Sequence, residues 1–180
     1  MALAAIMHET PATLACVADP LRAWQNERRV FDIVEIGRVA EDARRLVNRE
    51  HGWPDRPTVL ADPHLREPSL DMLARHPRLH GRATSLLGGP VRLAWTSLTC
   101  GTLVRIRPSR TPQSAVFVIA LAARPEAPMG TISYGIEPYP ETRFDWPFVV
   151  VYGRVADGAI GADGMVADDS LWPDAAIVAG

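Results

Sequence analysis

Val39, Ala43, Leu46 and Val47 recur at the i, i+4, i+7 and i+8 spacing of one helix face, which predicts a helix with that stripe buried. Glu41 can reach Arg45 one turn on, and Gly52 followed by Pro54 supplies the stop. Further upstream, Asp19-Pro20 pairs an acidic cap with a proline at the first helical position. That start puts Leu21, Trp24 and Arg28 on one side of a helix. Residues 30–36 fit helix or strand equally well. The proline-rich stretch from Trp53 to Pro68, with Asp55 and Asp62, predicts an irregular connection. Ser69 can cap a short helix running to Arg75. His76-Pro77 starts another, which places Leu79, Ala83 and Leu86 on one face before Gly88-Gly89-Pro90 ends it.

Beyond Pro90 the period changes from helical to extended. Val91 to Thr99, Gly101 to Arg107, Ala115 to Ala122, Gly130 to Ile136 and Pro147 to Arg154 are short and rich in Val, Ile, Thr and aromatics. Gly or Pro separates them, which predicts mostly antiparallel strands, with a hairpin loop at Pro108 to Pro112. The fold class read from this order is α+β, N-terminal helices followed by a mostly antiparallel sheet. The 180 residues suit a single domain, with 1–90 mainly helical, 91–155 β and 156–180 an acidic tail anchored by Leu171-Trp172-Pro173.

Composition narrows the chemistry. The 19 basic residues are all Arg, so Schiff-base, pyridoxal-phosphate and P-loop lysines are excluded. A Lys-free chain rich in Ala, Arg, Pro and Gly reads as the product of a GC-rich genome such as an actinobacterium's. The net charge of -2 is a cancellation: residues 72–125 hold eight Arg and no acid, and residues 126–180 hold two Arg and nine acids. Those two stretches are expected to meet, within one chain or between this chain and a second subunit or copy. The sequence predicts no nucleic-acid partner, given pI 6.2 and few aromatics, and no membrane partner, its longest apolar run being Ala115 to Ala123. A start without a basic region, and two isolated cysteines, Cys16 and Cys100, point to the cytoplasm.

Candidate chemistry rests on a few side chains. Arg105 and Arg107 fall on one face of a strand, with Arg110 in the turn beyond and Arg92 on the strand before. Paired guanidinium forks suit a carboxylate, phosphate or sulfate. Tyr134 and Glu137, with Tyr139 and Glu141, cluster around a proline-rich turn that could hold a general base, and His80 is a further catalytic candidate. His76 and His80 are four apart, but no carboxylate completes a metal pattern, and neither a G-x-S-x-G nor a G-x-G-x-x-G occurs. The expected catalytic set is therefore Tyr134, Glu137 and His80, the anion set Arg92, Arg105, Arg107 and Arg110, and no metal or cofactor is expected.

The run Asp62-Pro-His-Leu-Arg66, then Leu73 to Leu79, Leu86-Leu-Gly88 and Val91-Arg-Leu93, resembles the helix-to-first-core-strand passage of phytanoyl-CoA dioxygenase-like proteins. Val116 to Leu121 and Pro147 to Gly153 are similar to later strands of that double-stranded β-helix, so the resemblance covers about residues 60–155 and implies a degenerate form of that fold. The resemblance also implies Fe(II) held by His-x-Asp/Glu and a later His, with 2-oxoglutarate gripped by an Arg. This sequence departs there: none of its five histidines has Asp or Glu two residues on, and none follows His80. The resulting expectation is a metal-independent biosynthetic enzyme or subunit. It would hold an anionic small molecule through Arg and promote elimination or ring closure with loss of an anionic group. The alternatives are a non-catalytic partner subunit of a heteromeric complex and a degenerate oxygenase of the resembled family.

Overall fold

The computed structural model describes residues 24–52, 58–100, 114–125, 127–136 and 144–155. Its elements are β1 (Gln25–Glu27), α1 (Ile33–His51), β2 (Thr58–Ala61), a short 3-10 turn (Pro63–Leu65), α2 (Pro68–Ala74), α3 (Pro77–Leu87), β3 (Val91–Cys100), β4 (Ser114–Ala120), β5 (Ile132–Ile136) and β6 (Pro147–Arg154). The six strands form one sheet in the order β1-β5-β4-β6-β3-β2, and every neighbouring pair is antiparallel. The α+β class stands. No helix among the described residues is long and apolar enough to cross a membrane.

The helices begin and end as their local chemistry dictates. Asp32 caps α1, its carboxylate accepting from the backbone N–H groups of Val34 at 2.8 Å and Glu35 at 3.2 Å, and so resolves the ambiguous 30–36 stretch. The predicted stripe of α1 is buried, Glu41 lies 3.4 Å from Arg45, and Gly52 closes the helix. His76 caps α3 through Nδ1, which accepts from the Arg78 N–H at 3.1 Å, and Gly88 ends it at φ 67°, a left-handed conformation that favours glycine.

The sheet is buried on both sides, which is why β4 and β6 read as unbroken apolar runs rather than alternating ones. Phe117, Ile119, Phe148, Val150 and Tyr152 face α1, α2 and α3 in the main core. Val116, Val118, Val149 and Val151 face the other way, joined by Trp24, Trp95 and Phe144. A bulge between Leu93 and Trp95 shifts the parity of β3. Leu93 and Leu98 consequently both serve the helix-side core, although their spacing alone would put them on opposite faces. Each fully buried Val, Leu or Phe contributes about 1.5–3 kcal/mol, so this two-sided sheet is the main source of stability.

Three local expectations are corrected. The helix from Asp19 through Arg28 gives way to β1 over its described part, because pairing Gln25 with Tyr134 supplies ladder hydrogen bonds and seats Trp24 on Gly135. Between Trp53 and Pro68 the chain is not wholly irregular: Thr58-Val-Leu-Ala61 joins β3 as an edge strand, a place that tolerates flanking prolines. Ser69 does not cap α2. Glu67 occupies that position with Pro68 at the first helical residue, and the buried Ser69 hydroxyl has no hydrogen-bond partner. The expected strand at 101–107, the loop at 108–112 and the acidic tail lie outside the described residues.

Candidate functional site

Residues far apart in sequence meet where β1, β5 and α3 converge. In β1, Gln25 and Glu27 are two apart and share a face, and antiparallel register sets Gln25 directly beside Tyr134. The Tyr134 hydroxyl lies 2.7 Å from Gln25 Oε1 and also donates to Glu27 Oε1. From α3, Arg82 meets the same carboxylate with two donors, Nε at 3.1 Å from Oε1 and an Nη on Oε2. Its guanidinium lies 5.8 Å from the Tyr134 ring centroid, and that ring stacks on Phe117 at 5.4 Å and 9°.

These contacts set the protonation states. The Arg82 fork holds the Glu27 carboxyl below the usual carboxylate range against the opposing effect of burial. Burial, followed by the neighbouring Glu27 carboxylate, raises Tyr134 above the usual phenol value. At neutral pH Glu27 is therefore an ionised, paired acceptor and Tyr134 a protonated donor. With Arg82 they form a charge-balanced wall. Arg82 and Tyr134 from that wall line an open groove of about 410 Å³ together with Gln25, Pro77, Arg78, Gly81, Ser85 and Leu86.

The sequence-predicted residues are only partly assembled. Tyr134 stands in the wall. His80 is exposed on α3 with its ring edge on Tyr152 at 6.1 Å, and it does not line the groove. Arg92 lies on β3 opposite Gly153. Glu137, Arg105, Arg107 and Arg110 lie outside the described residues. Sequence reasoning missed Gln25, Glu27, Arg78 and Arg82. Glu27 and Tyr134 are joined by a side-chain hydrogen bond across 107 positions that the β1–β5 pairing brings about, which no local pattern announces. The acid-free stretch is also less cationic in place than in sequence: Arg75 pairs with Asp71, Arg82 with Glu27, and Arg124 with Asp145.

A second cluster ties the 3-10 turn to the sheet. His64 Nδ1 is 2.7 Å from Thr96 Oγ1, and Asp62 Oδ1 accepts from the Thr96 N–H at 3.0 Å. Burial lowers the His64 pKa, partly opposed by Asp62 and Asp71.

The sheet face turned away from the helices is a second buried core. Among the described strands β2 to β6 contain no His, Asp or Glu. On this face Val116, Val118, Val149 and Val151 carry no lone pairs, and Ser97 and Ser133 supply only hydroxyls. No group of three His, Cys, Asp or Glu side chains that could hold a metal ion occurs among the described residues. A facial triad of two histidines and a carboxylate does not fit these positions.

No family model matches the chain, and no curated protein matches it in sequence. Its fold is nevertheless shared with solved structures. The epimerase SnoN in complex with Fe3+, α-ketoglutarate and nogalamycin RO aligns at TM-score 0.57 and 15% identity, over 88% of this chain and 92% of that one. The non-heme α-ketoglutarate-dependent carbocyclase SnoK from nogalamycin biosynthesis aligns at TM-score 0.56 and 15% identity, over 74% and 80%. HygX from Streptomyces hygroscopicus, with nickel and 2-oxoglutarate bound, aligns at TM-score 0.58 and 12% identity, over 80% and 90%.

These neighbours bear out the sequence resemblance at its coarser level, that of non-heme 2-oxoglutarate-dependent oxygenase-like folds. They overturn the expectation of a metal-independent elimination or ring-closing enzyme in favour of an oxygenase-like one, since these three neighbours are metal-bearing or α-ketoglutarate-dependent. Residue types and local motifs carry that expectation, whereas the likeness to these structures lies in chain topology.

Proposed function

We propose that this chain is a degenerate oxygenase-like enzyme of specialised metabolism. On this reading it is a double-stranded β-helix protein related to the phytanoyl-CoA dioxygenase-like group. The shell that binds and orients a substrate is kept, and the described sheet lacks the complete metal triad. The observation that carries the proposal is the absence of His, Asp and Glu from β2 to β6 in a fold shared with α-ketoglutarate-dependent enzymes. The antibiotic pathways of those neighbours support the assignment to specialised metabolism.

When bound in such a fold, iron with 2-oxoglutarate supplies oxidative chemistry. This chain's own residues do something else on the face away from the helices: its buried valines and aromatics exclude water, with the Ser97 and Ser133 hydroxyls buried among them. Anaerobic titration with Fe(II) and 2-oxoglutarate, followed by the visible charge-transfer absorption of their chelate, tests the proposal. The expected result is no stoichiometric chelate and 2-oxoglutarate binding that Fe(II) does not tighten. A one-to-one chelate, with oxygen-dependent decarboxylation of 2-oxoglutarate, overturns it.

A further inference from the structure

We infer that the groove between α3 and the β1–β5 edge is a binding site for a small organic monoanion, a carboxylate on a flat apolar body. It lies on the helix side of the sheet and uses none of the residues on the opposite face.

The charge inventory points to an anion. Around the groove stand one carboxylate, Glu27, and two guanidinium groups, Arg78 and Arg82. Glu27 is consumed by Arg82 and by the Tyr134 hydroxyl, and a third Arg82 donor goes to the Arg78 carbonyl at 3.0 Å. Arg78 donates from one Nη to the Val30 carbonyl, which ties down its end of the side chain while leaving its charge unbalanced by any carboxylate among the described residues. Among the described residues the groove therefore carries one net positive charge, on an arginine already positioned by a backbone contact. A guanidinium with unused parallel donors matches a carboxylate in geometry and in charge.

The walls set the rest of the ligand. Pro77, Leu86 and the Tyr134 ring are apolar, and the volume of about 410 Å³ lies in the range of small-molecule sites. Gly81 sits in mid-helix, where glycine is unfavourable, and a Cβ built there meets nothing within 4 Å. Gly81 is exposed, and its missing side chain leaves that side of the groove open. Ser85 Oγ donates back to the Gly81 carbonyl at 3.0 Å, so it presents an acceptor edge to the groove and does not compete for the anion.

Benzoate is the probe, with benzyl alcohol as its neutral counterpart and inorganic phosphate as an anion without an apolar body. Binding to the full chain is measured by calorimetry and by NMR shifts of α3 amides. Saturable benzoate binding is expected, with benzyl alcohol and phosphate at least about tenfold weaker. Arg78→Gln should weaken benzoate at least about tenfold. Gly81→Leu, which keeps every charge and adds a helix-favouring side chain, should also abolish it by occupying the groove from its wall. Arg49→Gln, on an exposed position of α1, should leave it unchanged. Benzoate binding that survives either groove variant, or no saturable benzoate binding at all, overturns the site. The iron titration of the opposite face is independent, so either idea can fail without the other.

Discussion

Glu27, Arg82 and Tyr134 each hold the other two in a fixed protonation state, and the same logic makes His64 a reporter on the fold. His64 is packed under Thr96 with its side chain 8% exposed, and burial lowers its pKa below the ordinary value of 6.5. Above that value both folded and unfolded chains carry it neutral, and its contribution to stability is complete. As pH falls below about 6.5 the unfolded chain binds the proton first, so stability declines until the folded-state pKa is also passed. The urea midpoint should therefore drop between about pH 7.5 and about pH 5.5, and His64→Gln should remove part of that slope. A slope identical in the two proteins would show that other groups carry it. At this scale the sequence was only partly legible. Tyr134 was identifiable as a polar aromatic in a strand, but its partners were not, because side-chain pairing across 107 positions is decided by sheet register. His80, in the catalytic set expected from the sequence, stands exposed against Tyr152 and away from the groove.

At the scale of elements, local chemistry was a good guide wherever the chain supplied its own hydrogen-bond partner. Asp32 accepts from two otherwise orphan N–H groups of α1, so Asp32→Ala should cost about 1 kcal/mol in denaturant unfolding without changing the slope of the transition. A change near zero would mean that tertiary packing alone fixes the start of the helix. The α1 stripe, the Pro77 start and Gly88 end of α3, and the strands from Val91, Ala115 and Pro147 were all readable from spacing and turn residues. The two misread strands share one cause. β1 and β2 are edge strands of three and four residues, too short to show an alternation, and they exist because β5 and β3 offer them open ladders.

At the scale of the whole molecule, Phe117 joins the two levels below it. It stacks on Tyr134, meets Tyr152 edge-on at 5.8 Å and is fully buried under the helices. Phe117→Ala should cost about 3–5 kcal/mol, read as a large fall in Tm, and should also loosen the Tyr134 wall. A loss below about 1 kcal/mol would mean that the core collapses around the gap. The fold places this chain beside α-ketoglutarate-dependent enzymes, while the described sheet lacks their ligand chemistry. The sequence by itself determined the α+β class, the main helices and strands, the absence of lysine chemistry and the absence of any histidine beyond position 80, since each follows from residue identity or short-range spacing. Only the tertiary structure decided the strand order, the neutralisation of Arg82 and Arg124, the groove beside α3 and the kinship of fold. These depend on which distant segments pair, and that choice is made by the summed burial of two sheet faces rather than by any local pattern.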